Sequence, residues 1–148
     1  MRLFRLGAGQ SDFVRGFLAA ALLLSASPAA TAAEFPFDQE LVLDAAPIRP
    51  GKHMPMLSVA SNGDATIELW CKTVGAHVEL SDADIKVEAA PLPDAPPAMM
   101  GRDQCTPARV AADGDLLAAI TQVTAWHRQG SGLVLSGPMT LRFRANDH

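Results

Sequence analysis

Several features that would point to a familiar activity are missing from this sequence. Its 148 residues include two cysteines and no C-x-x-C pair, so the close ligand spacing of a structural zinc site is absent. No G-x-S-x-G segment surrounds Ser131 or Ser136, and "SDAD" and "DGD" lack the spacing and distal glutamate of a calcium loop. We therefore predict polar turns or helix surface at these segments, and no catalytic, cofactor-binding or metal-binding residues.

Long apolar runs are also absent. The run near the start of the chain, Phe17 to Leu24, is far shorter than the roughly 20 residues that span a bilayer. Three arginines precede it and small residues ending in Ala32 and Ala33 follow, which is the layout of a secretory signal peptide. We expect cleavage near Ala32 or Ala33. No cysteine lies near this junction, so we predict a periplasmic or secreted protein without a stable membrane anchor.

Positive charge is scarce. Loss of residues 1–33 would leave 9 of the 12 basic and 15 of the 16 acidic residues, a net charge near −6. An acidic chain does not attract phosphate backbones, so no nucleic-acid partner is predicted. Residues 34–148 are enough for a single modest domain.

The two cysteines, Cys71 and Cys105, are most simply explained by the predicted compartment. Two cysteines in an oxidising environment commonly cross-link, so we predict a Cys71–Cys105 disulfide that joins a strand region to the start of a helix. Two buried free thiols and a reactive cysteine remain as alternatives. A nucleophilic cysteine would need a neighbouring histidine, and the sequence does not place one beside either thiol.

Alternation of apolar and polar residues predicts β-strands through most of the chain. The segment "ELVLD" alternates from residue 40 to 44, and Asn62-Gly63 is a strong hairpin signal between two further strands. Continued alternation after this turn places Cys71 towards the core, with Trp70 and Lys72 on the opposite face. The period-2 pattern recurs in "GAHVEL" and around Ile85, before the proline-rich segment 89–98 predicts a loop.

One helix and a final set of strands complete the predicted domain. Thr106 is a good N-cap and Pro107 suits the first turn, while Val110, Leu117 and Ile120 share a face at helical spacing. About eight strands and one helix predict an α+β, mainly β domain: a small antiparallel barrel or strongly curled sheet with the helix packed on it. The closing strands point Arg142 and Arg144 outwards, and Trp126 is expected in the core. The predicted core also contains Ile67, Leu69, Val78, Leu117, Ile120, Leu133, Leu135 and Phe143.

The order of short motifs resembles the META domain of HslJ-like bacterial envelope proteins. The similarity runs from Ala65 to Arg144: "IELWCKTVGAHVELSDADIKV", the Met99-Met100 pair leading into a cysteine before the helix, and "VTAWHRQGSGLVLSGPMTLRFR". The resemblance implies a mixed barrel-like fold, an envelope location and a link to stress response. It transfers no catalytic residues.

Two functions are therefore compatible with the sequence. The first is a non-catalytic envelope module that binds an unknown envelope protein or a small apolar ligand. The second is a periplasmic Cu(I) protein, because His53 and the methionines at positions 54, 56, 99 and 100 offer soft ligands. Packing is the simpler role for these methionines, since Met commonly fills gaps in cores.

Overall fold

The computed structural model describes residues 35–94 and 104–147, which form eight strands and one helix. The predicted signal peptide, Met99, Met100 and the end of the proline-rich segment lie outside these ranges. No helix in the described part of the chain is long and apolar enough to cross a membrane. The elements are β1 (Glu40–Leu43), β2 (Met56–Val59), β3 (Asp64–Glu68), β4 (Thr73–Ser81), β5 (Asp84–Ala89), α1 (Pro107–Thr121), β6 (Ala125–Gln129), β7 (Gly132–Ser136) and β8 (Thr140–Ala145).

The strands form one antiparallel sheet that closes into a barrel in the order β1 to β8, which confirms the predicted fold class. Closure comes from β1 pairing with β8, with Val42 opposite Arg144. The seam between β5 and β6 has a single paired position, Asp84 opposite Ala125. Helix α1 connects these two strands, and it packs against β5.

Inward-facing side chains fill the barrel as the alternation predicts. Leu41, Ile67 and Leu133 are almost fully buried, and Trp126 packs edge-on against Phe35 with ring centroids 5.1 Å apart. The predicted hairpin is present, with Gly63 at φ +92° between β2 and β3. The predicted core residues are all buried except Leu117, which is half-buried at the helix.

Two local predictions are wrong. Strand β3 ends at Glu68, and the backbone N–H of Leu69 donates to the carbonyl of Lys72 at 2.7 Å in a tight turn. Trp70 and Lys72 are therefore buried, although alternation placed them outside. In α1, Val110 is 37% exposed, because the helix turns a different face to the barrel. That buried face consists of Arg109, Asp113, Leu116, Ala119 and Ile120.

Candidate functional site

Two fully buried charged residues lie on the barrel-facing side of α1. The helix begins as predicted, with the Thr106 hydroxyl accepting a hydrogen bond from the Arg109 backbone N–H at 3.4 Å. Arg109 and Asp113 are one helical turn apart, so both side chains point the same way. Neither is exposed to solvent. Buried charges are expensive unless hydrogen-bonded, so their partners define what this face of the helix does.

Asp113 holds the turn between β3 and β4. Its carboxylate accepts hydrogen bonds from the backbone N–H of Cys71, at 3.1 and 3.2 Å to its two oxygens, and from that of Lys72 at 2.9 Å. Burial raises the pKa of Asp113 above the ordinary aspartate value, against the opposing effect of these donors. The expectation that "DGD" is a polar turn or helix surface is therefore wrong for Asp113.

Arg109 holds a second segment, the connection between β1 and β2. Its guanidinium donates to the carbonyls of Pro50 and His53, the latter at 3.4 Å, and to the buried carbonyl of Trp70 at 2.8 Å. It also lies 5.8 Å from the centroid of the Trp70 ring. Its Nε atom is buried without a partner in the described part of the chain. Arg109 thus ties two distant loops to one helix.

Gly51 lets the loop pass close over this guanidinium. It adopts φ +108°, and a Cβ atom built there would lie 2.5 Å from Arg109 Nη1. Only glycine fits both the backbone conformation and the contact. The arrangement fixes the backbone on either side of Gly51, which carries Arg49 and Lys52.

Cys71 and Cys105 lie next to each other, with the side chain of Cys71 in hydrogen-bonding contact with that of Cys105. The structure holds both as thiols, with no bond between the sulfurs. Burial, Cys105 and Asp113 raise the pKa of the Cys71 thiol to about 12. A thiol of this kind is a poor nucleophile at neutral pH. The Cys71–Cys105 disulfide stays a prediction, now with the two residues in contact.

Three of the residues that suggested soft-metal binding, His53, Met54 and Met56, lie in the described ranges and have structural contacts. His53 Nε2 lies 3.0 Å from the carbonyl oxygen of Leu69, within hydrogen-bonding distance. Met54 is half-buried against the core, and Met56 is half-buried in β2. The described ranges contain no group of three or more His, Cys, Asp or Glu residues placed to hold a metal ion. Cu(I) binding by these residues remains the alternative function and is untested.

An open cleft lies beside the β1–β2 loop, and we call it the basic cleft. Its volume is about 630 Å³. Seven of its eight lining residues come from this loop and the eighth is Arg144 of β8: Ala45, Pro47, Arg49, Pro50, Gly51, Lys52, Met54 and Arg144. Three of them are cations and none is acidic. The outward direction of Arg144 was predicted, but the cleft itself was not.

A smaller groove of about 300 Å³ lies between α1 and β8. Leu116, Ala119 and Leu141 contribute apolar lining, and Met139 at its edge is 59% exposed. Asp115 and Arg142 also line it, so it is not purely apolar. It is the second concave surface to consider for a small apolar ligand.

Sequence reasoning missed the roles of Arg109 and Asp113. Their partners lie 39 to 59 residues away along the chain for Arg109, and 41 or 42 residues away for Asp113. One signal was present: Arg109, Asp113, Leu116 and Ile120 share a helical face as well as the predicted apolar set does. The charges on that face concealed it.

Comparisons with known proteins give only the fold. No protein-family model matches the chain, and no curated protein matches it. A solved structure described only as the NMR structure of a protein matches with a TM-score of 0.50 and 18% sequence identity. The match covers 72% of this chain and 87% of that one. At this identity, the likeness extends to the architecture alone.

Proposed function

We propose that this protein is an exported, non-catalytic binding module of the META/HslJ-like kind, and that the basic cleft is its binding surface. The observation that carries the proposal is that the buried and the exposed charged side chains have different roles. The buried charges of Arg109 and Asp113 are used by the fold, whereas a concave surface open to solvent carries three cations.

Three further observations support the proposal. The antiparallel barrel with a single helix is the fold that the resemblance implies. The order of basic, apolar and small residues at the start of the chain is typical of an exported protein. The raised pKa of Cys71 leaves little thiolate at neutral pH, which argues against Cys71 as a nucleophile.

The binding surface can be tested by fragment screening with amide NMR. The purified domain is titrated with a library of neutral, cationic and anionic fragments, and perturbed amides are assigned. We expect the perturbations to cluster in residues 45–54 and at Arg144, with every fragment recovered unchanged. Perturbations confined to the groove around Met139 would show that this groove, and not the basic cleft, is the binding surface. Turnover of a fragment, abolished by Cys71→Ala, would overturn the non-catalytic assignment.

The competing Cu(I) function is tested separately, because its ligands are different. Replacement of all four candidate methionines by leucine conserves side-chain volume and should change stability by less than about 1.5 kcal/mol. We expect Cu(I) binding to be equally weak before and after this change. A submicromolar affinity that the substitutions abolish would favour the soft-metal function. The four positions are Met54, Met56, Met99 and Met100.

A further inference from the structure

The basic cleft is an unusual concentration of positive charge for this chain. Nine basic residues follow position 33, against fifteen acidic ones, yet Arg49, Lys52 and Arg144 line one cleft without an acidic neighbour in its lining. Two come from a loop and one from a strand at the far end of the sequence. The fold brings these cations together.

Other basic residues of the described chain are engaged elsewhere. Lys72 and Arg109 are buried, Lys86 forms an ion pair with Glu88 at 2.8 Å, and Arg142 donates to the Gln129 side chain at 3.0 Å. By contrast, the three cleft cations form no ion pair with any carboxylate in residues 35–94 and 104–147. Their charge is therefore available to a ligand.

Arg109 adds a fourth positive charge next to the cleft. Its guanidinium donates to the carbonyl of Pro50, lies close to Gly51, and forms no ion pair within the described ranges. A buried charge acts through a medium of lower dielectric constant than water, so its field is screened less than that of a surface cation. Arg109 therefore adds positive charge behind the cleft lining, and the Asp113 carboxylate one helical turn away offsets part of its field when ionised.

The remaining lining is apolar. Ala45, Pro47, Pro50 and Met54 account for half of the lining residues, and Met54 is a flexible side chain that adapts to irregular shapes. Arginine binds phosphate and carboxylate through paired N–H groups, and lysine adds a point charge. Building on the proposed binding function, we propose that the basic cleft binds a phosphate or carboxylate group joined to a short apolar chain. Free anionic metabolites and lipid headgroups share this chemistry.

Hexyl phosphate is the direct probe. Inorganic phosphate, which has the anionic group without the chain, and hexanol, which has the chain without the anionic group, are the matched controls. By titration calorimetry and amide NMR in low salt, we expect saturable binding of hexyl phosphate with a Kd below about 1 mM. Inorganic phosphate and hexanol should each bind at least about tenfold more weakly, because each lacks one of the two interactions. Affinity should also fall between about 20 and 300 mM salt, as expected for exposed charges.

Charge-removing variants locate the site. Arg144→Gln and Lys52→Gln should each weaken hexyl phosphate binding by about tenfold, the usual effect of losing one charge-assisted hydrogen bond. Lys86→Gln is the matched control, because it removes the same charge from an exposed position on β5 and should leave the Kd unchanged. Both cleft residues are exposed, so thermal melts should show parent-like folding.

The possible outcomes distinguish a failure of this ligand class from a failure of the proposed binding function. Equal affinity for hexyl phosphate and hexanol would overturn the anionic half of the proposal, and equal affinity for hexyl phosphate and inorganic phosphate would overturn the apolar half. If Lys86→Gln weakens hexyl phosphate binding as much as the cleft variants do, the effect is one of overall charge, and the basic cleft is refuted as the binding site. If hexyl phosphate, hexanoate and anionic lipid vesicles all fail to bind while neutral or cationic fragments perturb residues 45–54, the ligand class is refuted and the binding function stands. If no fragment perturbs the amides of the basic cleft, both the ligand class and the proposed binding surface are refuted.

Short-chain hexyl phosphate tests the chemistry, and a second experiment distinguishes its biological sources. Vesicles containing phosphatidylglycerol are compared with vesicles of phosphatidylcholine alone in a co-sedimentation assay, with Arg144→Gln as the variant. If the protein is retained on the anionic vesicles and Arg144→Gln reduces this retention, the ligand is a lipid headgroup. Binding of soluble hexyl phosphate without vesicle retention identifies a free amphiphilic anion. The proposal fails if vesicle retention is unchanged by Arg144→Gln and the soluble probe also does not bind.

Discussion

Replacement of Gly51 by alanine tests whether Arg109 holds the β1–β2 loop as the structure shows. Gly51 has φ +108°, in a region that residues with a Cβ rarely adopt. The new Cβ atom would lie 2.5 Å from Arg109 Nη1, which donates to the carbonyl of Pro50. Gly51→Ala therefore strains the backbone and displaces the guanidinium from its acceptor.

The expected loss of stability follows from these two effects. Backbone strain at such a position costs about 1–3 kcal/mol. A hydrogen bond from a charged donor contributes about 1.5–3 kcal/mol, although movement of the guanidinium would recover part of it. We expect Gly51→Ala to lower the free energy of unfolding by about 2–4 kcal/mol. For a domain of this size the melting temperature falls by about 4 °C per kcal/mol, or roughly 8–16 °C in all.

Gly114→Ala supplies a control with the opposite sign. Gly114 lies inside α1, and a Cβ atom there would meet nothing within 4 Å. Alanine is favoured over glycine in a helix by about 1 kcal/mol, so this variant should be more stable than the parent. Urea unfolding followed by circular dichroism measures both. A Gly51→Ala variant within about 0.5 kcal/mol of the parent would refute the tether, since ordinary surface changes have effects of that size.

Three further predictions concern the cysteines, the buried carboxylate and the chain start. Alkylation of the unfolded, unreduced protein should label neither Cys71 nor Cys105; labelling of both would exclude the disulfide. Because burial raises the folded-state pKa of Asp113, the folded state keeps a proton that the unfolded chain loses near pH 3.9. Stability should therefore fall as pH rises through the folded-state pKa, and urea midpoints of Asp113→Asn should lack this decline; an unchanged pH profile would contradict the assignment. Intact mass from a periplasmic extract should correspond to a chain that starts at Ala33 or Glu34, and a full-length mass would exclude cleavage.

The parts of the fold that sequence predicts are those decided by local chemistry. Asn62-Gly63 marks a hairpin because both residues tolerate positive φ, and Thr106-Pro107 starts a helix because a hydroxyl caps its first turn. Alternation gives the inward residues of the strands because neighbouring side chains point to opposite faces. Each of these signals lies within a few residues of the structure that it determines.

The parts that sequence does not predict depend on distant partners. Arg109 and Asp113 are charged, and charged residues are almost always exposed unless they are paired or hydrogen-bonded. Their burial follows only once the β1–β2 loop and the turn at Leu69–Lys72 are known to cross the helix, and neither crossing has a local signature. The same reason explains the misplaced Val110. The prediction chose the wholly apolar stripe as the buried face of the helix, whereas the face that is buried combines two charged residues with Leu116 and Ile120.

The way in which Arg109 is held connects the fold to the proposed ligand. A buried guanidinium paired with a carboxylate would have its field largely cancelled at short range. Here the carbonyls of Pro50, His53 and Trp70 accept hydrogen bonds from its terminal nitrogens, and it forms no ion pair within the described ranges. The Asp113 carboxylate one helical turn away offsets part of its field when ionised. Desolvating this cation is costly, and an anion in the cleft would recover part of that cost. On our proposal, the residue that fixes the loop also contributes to the attraction of the ligand, because it bonds to Pro50 in the lining of the basic cleft.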